Sequence, residues 1–183
     1  MNIFVLDLEP AKCAEYHCDK HLIKMITEHN QILAAVKWVR MGVEKKVQIT
    51  QELKDSFYEF PRKFEDNKPN PYGITHKNHP CTKWTGMCWE NYDWLVKLNL
   101  ELCKEYTKRY GKVHAGEAIT NWYSFNRPTL PINDVMTPFA QAMPEDCQQP
   151  DVVKAYRNYY IRYKKDIVTW KTQKPEWFNI NNI

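Results

Sequence analysis

The chain has 183 residues, a formal net charge of +4 and a pI near 8.6. This length suffices for a sizeable core and predicts one domain. The five glycines form no GxGxxG or Walker pattern, and no apolar run approaches the ~20 residues of a membrane span. The composition therefore excludes a glycine-rich phosphate loop and a transmembrane helix, whereas the mild positive charge permits binding to nucleic acid.

Six cysteines occur without a CxxC pair, and apolar residues 3–8 are too short for the core of a signal peptide. We therefore expect a cytoplasmic protein with reduced thiols, several of them at core positions.

A first long helix is predicted over residues 11–41, with Pro10 in its first turn and Gly42 after its end. Apolar side chains recur along it at alternating steps of four and three, which predicts a buried stripe. Its members are Cys18, Leu22, Met25, His29, Ile32, Val36 and Val39. Residues 44–78 then indicate an irregular loop that contains one short helix, 51–58.

A second long helix is predicted from His79-Pro80 to Gly111. Its apolar stripe consists of Trp84, Cys88, Leu95, Leu98, Leu102 and Tyr106.

The rest of the chain alternates helical and proline-rich stretches. A shorter helix is expected over 116–125, an irregular connection over 126–150 and a third long helix over 150–171. Residues 172–183 form a tail that Trp177 and Phe178 fasten to the body. The whole pattern predicts an all-α fold, in which a single multi-helix domain joins three long helices by long, irregular, proline-rich connections.

Titratable residues form a second stripe on the first helix, beside the apolar one. A lysine amine can attack an aldehydic or anomeric carbon, and a nearby carboxylate can stabilise the resulting cation or move protons. We therefore predict a catalytic site from His17, Asp19, Lys20, His21, Lys24 and Glu28. The alternative is a solvated face on which Lys24 and Glu28 form an ordinary i,i+4 pair.

A metal site is a weaker alternative for the same face. Cys13, His17 and His21 are spaced four apart, and two histidines at that spacing can bind zinc. A fourth ligand would have to come from a distant position such as His79, His114 or Cys81. We therefore assign no metal and no cofactor to this chain.

Basic and aromatic residues gather at the two ends of the second helix. Helix N-termini, lysine and arginine bind phosphate, and aromatic rings stack on bases that leave the duplex. The candidate nucleic-acid contacts are His79, Lys83, Trp84, Arg109, Lys112 and His114. The alternative for Trp84 is a place in the core.

Seven segments spread over nearly the whole chain are distinctive: YHCDKHLIKMI (16–26), NHPCTKW (78–84), NYDWL (91–95), EYTKRYGKVH (105–114), MTPFAQAMPEDC (136–147), AYRNYY (155–160) and PEWFN (175–179). Together they resemble a family of small phage and marine-bacterial proteins that are commonly described as pyrimidine-dimer DNA glycosylases. The resemblance implies base excision with lyase activity, damaged duplex DNA as the partner, and the host cytoplasm as the location if a phage encodes the protein.

The well-understood phage enzyme of this kind uses the α-amine of a threonine, exposed after methionine removal, together with a glutamate. The present sequence begins Met1-Asn2, where methionine is usually retained. We therefore expect the amine to be Lys20 or Lys24, with Asp19 or Glu28 as the carboxylate.

Three functional hypotheses follow. The first is a DNA glycosylase or lyase that acts on damaged or modified bases. The second is a metal-dependent hydrolase or base-modifying transferase that uses the His17/His21 face. The third is a non-enzymatic phage protein that binds nucleic acid or a host protein. For the first, we expect His17, His21, Lys24 and Glu28 to line one concave surface, with His79 or His114 nearby.

Overall fold

The computed structural model describes residues 1–42 and 72–178. Within them the chain forms six α-helices and no strand, so the predicted all-α fold is confirmed. The helices are α1 (Pro10–Tyr16), α2 (Asp19–Arg40), α3 (Pro80–Thr85), α4 (Trp89–Tyr110), α5 (Gly116–Phe125) and α6 (Val152–Tyr163), with a 3-10 turn at Glu145–Cys147. The predicted short helix 51–58 and most of the 44–78 loop lie outside the described residues.

The first predicted helix is in fact two helices, because the backbone is extended at His17 and Cys18. This break leaves carbonyl groups at the end of α1 without helical partners. Arg109 donates to the carbonyl oxygens of Glu15 at 2.8 Å and of His17 at 2.9 Å. A tertiary contact from another helix therefore replaces the hydrogen bonds that a continuous helix would have made.

The second predicted helix is interrupted as well. It ends first at Gly86 and resumes after Cys88, whose backbone is extended. The side-chain amide of Asn91 donates to the carbonyl oxygen of Trp84 at 2.7 Å and thereby satisfies one of the groups that the break exposes. The helix stops at Gly111, which adopts a left-handed φ of 67°, as the sequence predicts.

The last helix is shorter than predicted, since α6 ends at Tyr163 rather than near residue 171. The chain then folds back over the junction between α1 and α2, where Trp170 donates its indole N–H to the carbonyl oxygen of Tyr16 at 3.1 Å. Phe178 is 2 % exposed and Trp177 packs edge-on against Tyr16, which confirms the predicted anchoring of the tail.

The core lies between α2 and α4 and is sealed by the first residues of the chain. Both predicted apolar stripes are buried, except for Val39, which is 46 % exposed in the last turn of α2. Residues 3–6 are at most 4 % exposed, so this segment runs through the interior. All six cysteines are buried and unpaired, as expected for reduced thiols. No helix of the described residues is long and apolar enough to cross a membrane.

Candidate active site

The buried N-terminal segment brings the first amine of the chain to a carboxylate of α2. The Met1 α-nitrogen lies 3.4 Å from one oxygen of Glu28, and the Lys24 ammonium lies 3.0 Å from the other. The Glu28 side chain is only 13 % exposed, whereas that of Lys24 is 68 % exposed. One half-enclosed carboxylate therefore faces two amines, of which one belongs to the backbone and one to a flexible side chain.

Met1 is anchored by its side chain. The Met1 side chain is 3 % exposed, and its sulfur lies 3.9 Å from the hydroxyl of Thr82 on α3. The residue as a whole is nevertheless partly exposed. The exposed part of Met1 is therefore its backbone, to which the amine belongs.

His79 lies in the same electrostatic field. Its Nδ1 accepts the N–H of Cys81 at 3.2 Å at the start of α3, so the neutral ring carries its proton on Nε2. Burial lowers the pKa of His79, the charge of the Met1 amine lowers it further, and the Glu28 carboxylate acts in the opposite direction. His79 is thus the predicted histidine that the fold brings near Glu28.

His17 and His21 are core residues, at 0 % and 6 % exposure. Nδ1 of His17 lies 2.8 Å from the Cys13 carbonyl oxygen. Nδ1 of His21 lies 2.6 Å from the Tyr160 hydroxyl, and its ring stacks on Phe4. Burial is the main cause that lowers the pKa of His17 to about 4 and that of His21 to about 3. The expectation that both histidines line an open concave surface is therefore wrong.

Asp19 also has a structural setting. Its carboxylate pairs with Arg109 at 3.0 Å and accepts hydrogen bonds from the Thr169 hydroxyl and the Lys171 backbone N–H, both at 3.2 Å. These contacts fasten the start of α2 to the C-terminal part of the chain. Lys20, the next residue, is exposed.

Two of the predicted nucleic-acid contacts are internal. The Arg109 side chain is 0 % exposed and is held by Asp19 and by Glu105, the latter at 2.7 Å. Trp84 is 3 % exposed, and its ring stacks on Phe139. Neither side chain is presented to a duplex, because the fold uses both in packing.

The other predicted contacts are more accessible. Lys83 and Lys112 are exposed. His114 is half-buried, and its Nδ1 accepts the N–H of Gly116 at 2.9 Å. These residues were predicted together with His79, whose pKa responds to the charges of the Met1 amine and of Glu28.

The metal alternative finds no support in the geometry. Among residues 1–42 and 72–178, no three His, Cys, Asp or Glu side chains are grouped as metal ligands would be. Cys13 donates its S–H to the Phe4 carbonyl oxygen at 3.3 Å, and burial raises the pKa of its thiol to about 12.

Four lysines lie around the start of α2, and two of them, Lys20 and Lys24, were already predicted from the sequence. The charges of Lys24 and Lys164 both lower the pKa of His21, so both lysines lie within electrostatic range of this histidine. The backbone of Lys171 binds Asp19, which directly precedes exposed Lys20. We call this surface the basic face: Lys20, Lys24, Lys164 and Lys171.

A family model described as pyrimidine dimer DNA glycosylase matches residues 1–117, the part that contains Met1, Glu28 and His79. The chain belongs to the pyrimidine dimer DNA glycosylase family. This membership indicates a DNA glycosylase type of function in general, with DNA as the substrate. No curated protein and no solved structure gives a match. Helix α6 and the proline-rich connection before it lie beyond the matched residues.

Proposed function

We propose that this family member is a DNA glycosylase with lyase activity that removes damaged pyrimidines, with the Met1 α-amine as nucleophile and Glu28 as the catalytic carboxylate. The observation that carries the proposal is the 3.4 Å approach of this amine to Glu28. An amine beside a carboxylate is the pair that such chemistry requires. The family description supports pyrimidine dimers as the first substrate to test.

The chemistry uses both groups in turn. The neutral amine attacks C1′ of the damaged nucleoside, the glycosidic bond breaks, and the base leaves with the bonding electrons and takes up a proton. Loss of the amine proton and opening of the sugar ring give an iminium at C1′. Glu28 stabilises the positive charge that develops at C1′ and carries protons. Removal of a C2′ proton expels the 3′ phosphate, and water then releases the amine.

Lys24 is the alternative nucleophile, since its amine lies 3.0 Å from Glu28 and its side chain is 68 % exposed. The two amines are distinguishable by where the DNA becomes attached. Borohydride reduces the iminium to a stable secondary amine, so peptide mapping of the trapped complex identifies the attacking nitrogen. We expect the adduct on the N-terminal peptide, and intact mass must show that Met1 is present with a free amine.

The decisive experiment incubates the protein with duplexes that carry a pyrimidine dimer, uracil or an oxidised base, in the presence of borohydride. Glu28→Gln should abolish the adduct. Glu101→Gln is the matched control, because Glu101 also pairs with a lysine on its own helix, at 2.6 Å, but lies on α4. An adduct on Lys24 would move the nucleophile to that residue. Absence of base release, strand cleavage and adduct on all three substrates would refute the proposed function.

The basic face is proposed to bind the DNA backbone. Each phosphate contact that is lost should lower the slope of log K against log salt by about 1. We expect this reduction for Lys164→Gln and for Lys171→Gln. The control is Lys104→Gln, a lysine of α4 whose side chain is 71 % exposed. Equal salt slopes for all three variants would exclude the basic face as the DNA-binding surface.

A further inference from the structure

We propose that Asn2 and Tyr156 are positioning residues that aim the Met1 amine at its target, so that α6, beyond the family match, completes the active site. This inference rests on the proposed function, since it names what holds the proposed nucleophile in place. The end of a chain frays unless other elements fasten it, and a nucleophile misplaced by about 1 Å can lose about 100-fold in rate.

Asn2 is fastened by its side chain rather than by regular secondary structure. It is 7 % exposed. Its amide nitrogen donates to the Ala142 carbonyl oxygen at 2.9 Å. Its amide oxygen accepts the N–H of Ile3 at 2.8 Å, lies 3.1 Å from the Tyr156 hydroxyl and lies 3.5 Å from the Cys81 sulfur. The proline-rich connection, α6 and α3 therefore all hold the residue next to the amine.

Tyr156 links two of these elements. Its side chain is fully buried in α6. The hydroxyl lies 3.1 Å from the Asn2 amide oxygen and 2.8 Å from the Ala140 carbonyl oxygen, so these two acceptors share its single proton. The same hydroxyl accepts the N–H of Ala142 at 3.3 Å. One phenol thus contacts both Asn2 and Ala142, the loop residue whose carbonyl oxygen accepts the hydrogen bond from Asn2.

The same helix also holds the other end of the buried N-terminal segment. Arg157, which follows Tyr156, donates to the Leu6 carbonyl oxygen at 3.0 Å and pairs with Asp7 at 3.4 Å. Residues 2–7 are therefore clamped at both ends by α6. Because Asn2 follows Met1 directly, the clamp restrains where the Met1 amine can lie relative to Glu28.

Tyr156→Phe tests the proposal without altering residue 2, and so without altering methionine processing. We expect adduct formation at saturating lesion DNA to slow about 10-fold or more, with unchanged DNA affinity, because a misplaced nucleophile loses rate rather than binding. Tyr92→Phe is the matched control. Tyr92 is also fully buried, and its hydroxyl donates to a backbone carbonyl, that of Tyr123, at 3.4 Å. Tyr92→Phe should lose this hydrogen bond, which is longer than those of Tyr156, and keep the wild-type rate.

A second measurement needs no DNA. The α-amine is labelled with acetic anhydride over a range of pH, and its rate is read from the N-terminal peptide. In Tyr156→Phe the labelling profile should change several-fold, because the amine leaves its ion pair with Glu28, whereas Tyr92→Phe should match the wild type. Asn2→Leu should change the labelling profile in the same way as Tyr156→Phe. Asn2→Asp keeps the acceptor oxygen and should give a profile closer to that of the wild type.

The outcomes separate the two proposals. A wild-type protein that forms no adduct refutes the proposed function, and the labelling profile still decides whether the clamp positions the amine. A folded Tyr156→Phe with wild-type adduct rate and labelling profile overturns the inference alone. If Tyr156→Phe does not fold, Asn2→Leu is judged by the same two readouts.

Discussion

Acid should destabilise this protein steeply, because it buries three neutral histidines. His17 and His29 are 0 % exposed and His21 is 6 % exposed. Burial is the largest cause that lowers the pKa of His17 to about 4, and the pKa values of His21 and His29 to about 3, from an ordinary value of 6.5. Between pH 6.5 and about 4 the unfolded chain therefore binds protons that the folded protein does not.

The sign and size of the effect follow from linkage. Stability rises with pH wherever the unfolded state binds more protons, so it falls as the pH drops below 6.5 and is independent of these groups well above 7. One pKa unit corresponds to about 1.4 kcal/mol. At pH 5 each histidine should remove about 2 kcal/mol and the three together about 6 kcal/mol, a large share of the 5–15 kcal/mol that is typical of a folded domain.

Urea unfolding at pH 8, 7, 6 and 5 measures this loss directly. His29→Gln removes one of the three titrating groups and should remove about a third of the difference between pH 8 and pH 5, whatever its effect on stability at pH 8. His76→Gln is the control, because it removes an exposed histidine instead of a buried one. An equal free energy of unfolding at pH 5 and pH 8 would refute the argument.

Three further outcomes test the packing. Arg109→Ala should cost about 3–5 kcal/mol in urea unfolding, because it strands two half-enclosed carboxylates, whereas Arg127→Ala at an exposed pair should cost under about 1 kcal/mol. Gly116→Ala should cost about 1–3 kcal/mol in the same assay, because the new methyl would lie 2.8 Å from a side-chain carbon of Ile26. Thiol titration at pH 8 should detect no cysteine in the native protein and all six in urea, since every thiol is buried.

The apolar stripes were predictable because burial depends on periodicity, which the sequence displays. The helix breaks were not. Neither His17 nor Cys18 is a residue type that normally ends a helix. The break between α1 and α2 is stabilised by Arg109, which lies more than ninety residues away along the chain. The local pattern of apolar residues contains no information about a contact so distant in sequence. The sequence therefore favoured one continuous helix. The same contact removed Arg109 from the surface on which we had expected DNA.

The candidate site, too, was only partly predictable from the sequence. Glu28 was predicted from its place on the polar stripe, and the structure pairs it with Lys24 as an i,i+4 neighbour. His21 lies on the same stripe, yet Phe4 and Tyr160 cover it. Helical spacing says which residues share a face, but the segments that cover part of that face come from elsewhere in the chain. From the sequence the α-amine was set aside in favour of Lys20 or Lys24, because no sequence pattern marks where the first residue will pack.

The fold gives a physical reason to favour the Met1 amine over the Lys24 amine as the nucleophile of the proposed reaction. A lysine held for attack loses about 1.5–2 kcal/mol of rotamer entropy, which is a factor of about 10–30 in rate at equal reactivity. The Met1 amine has no such side chain to order, because it belongs to the backbone. The residues that follow it are buried in the core, and Asn2 is held by hydrogen bonds. That ordering is completed when the chain folds, before DNA arrives. A terminal amine placed in this way is preorganised by the same contacts that stabilise the protein, so partial loosening of the N-terminal segment should reduce catalysis well before it unfolds the helices.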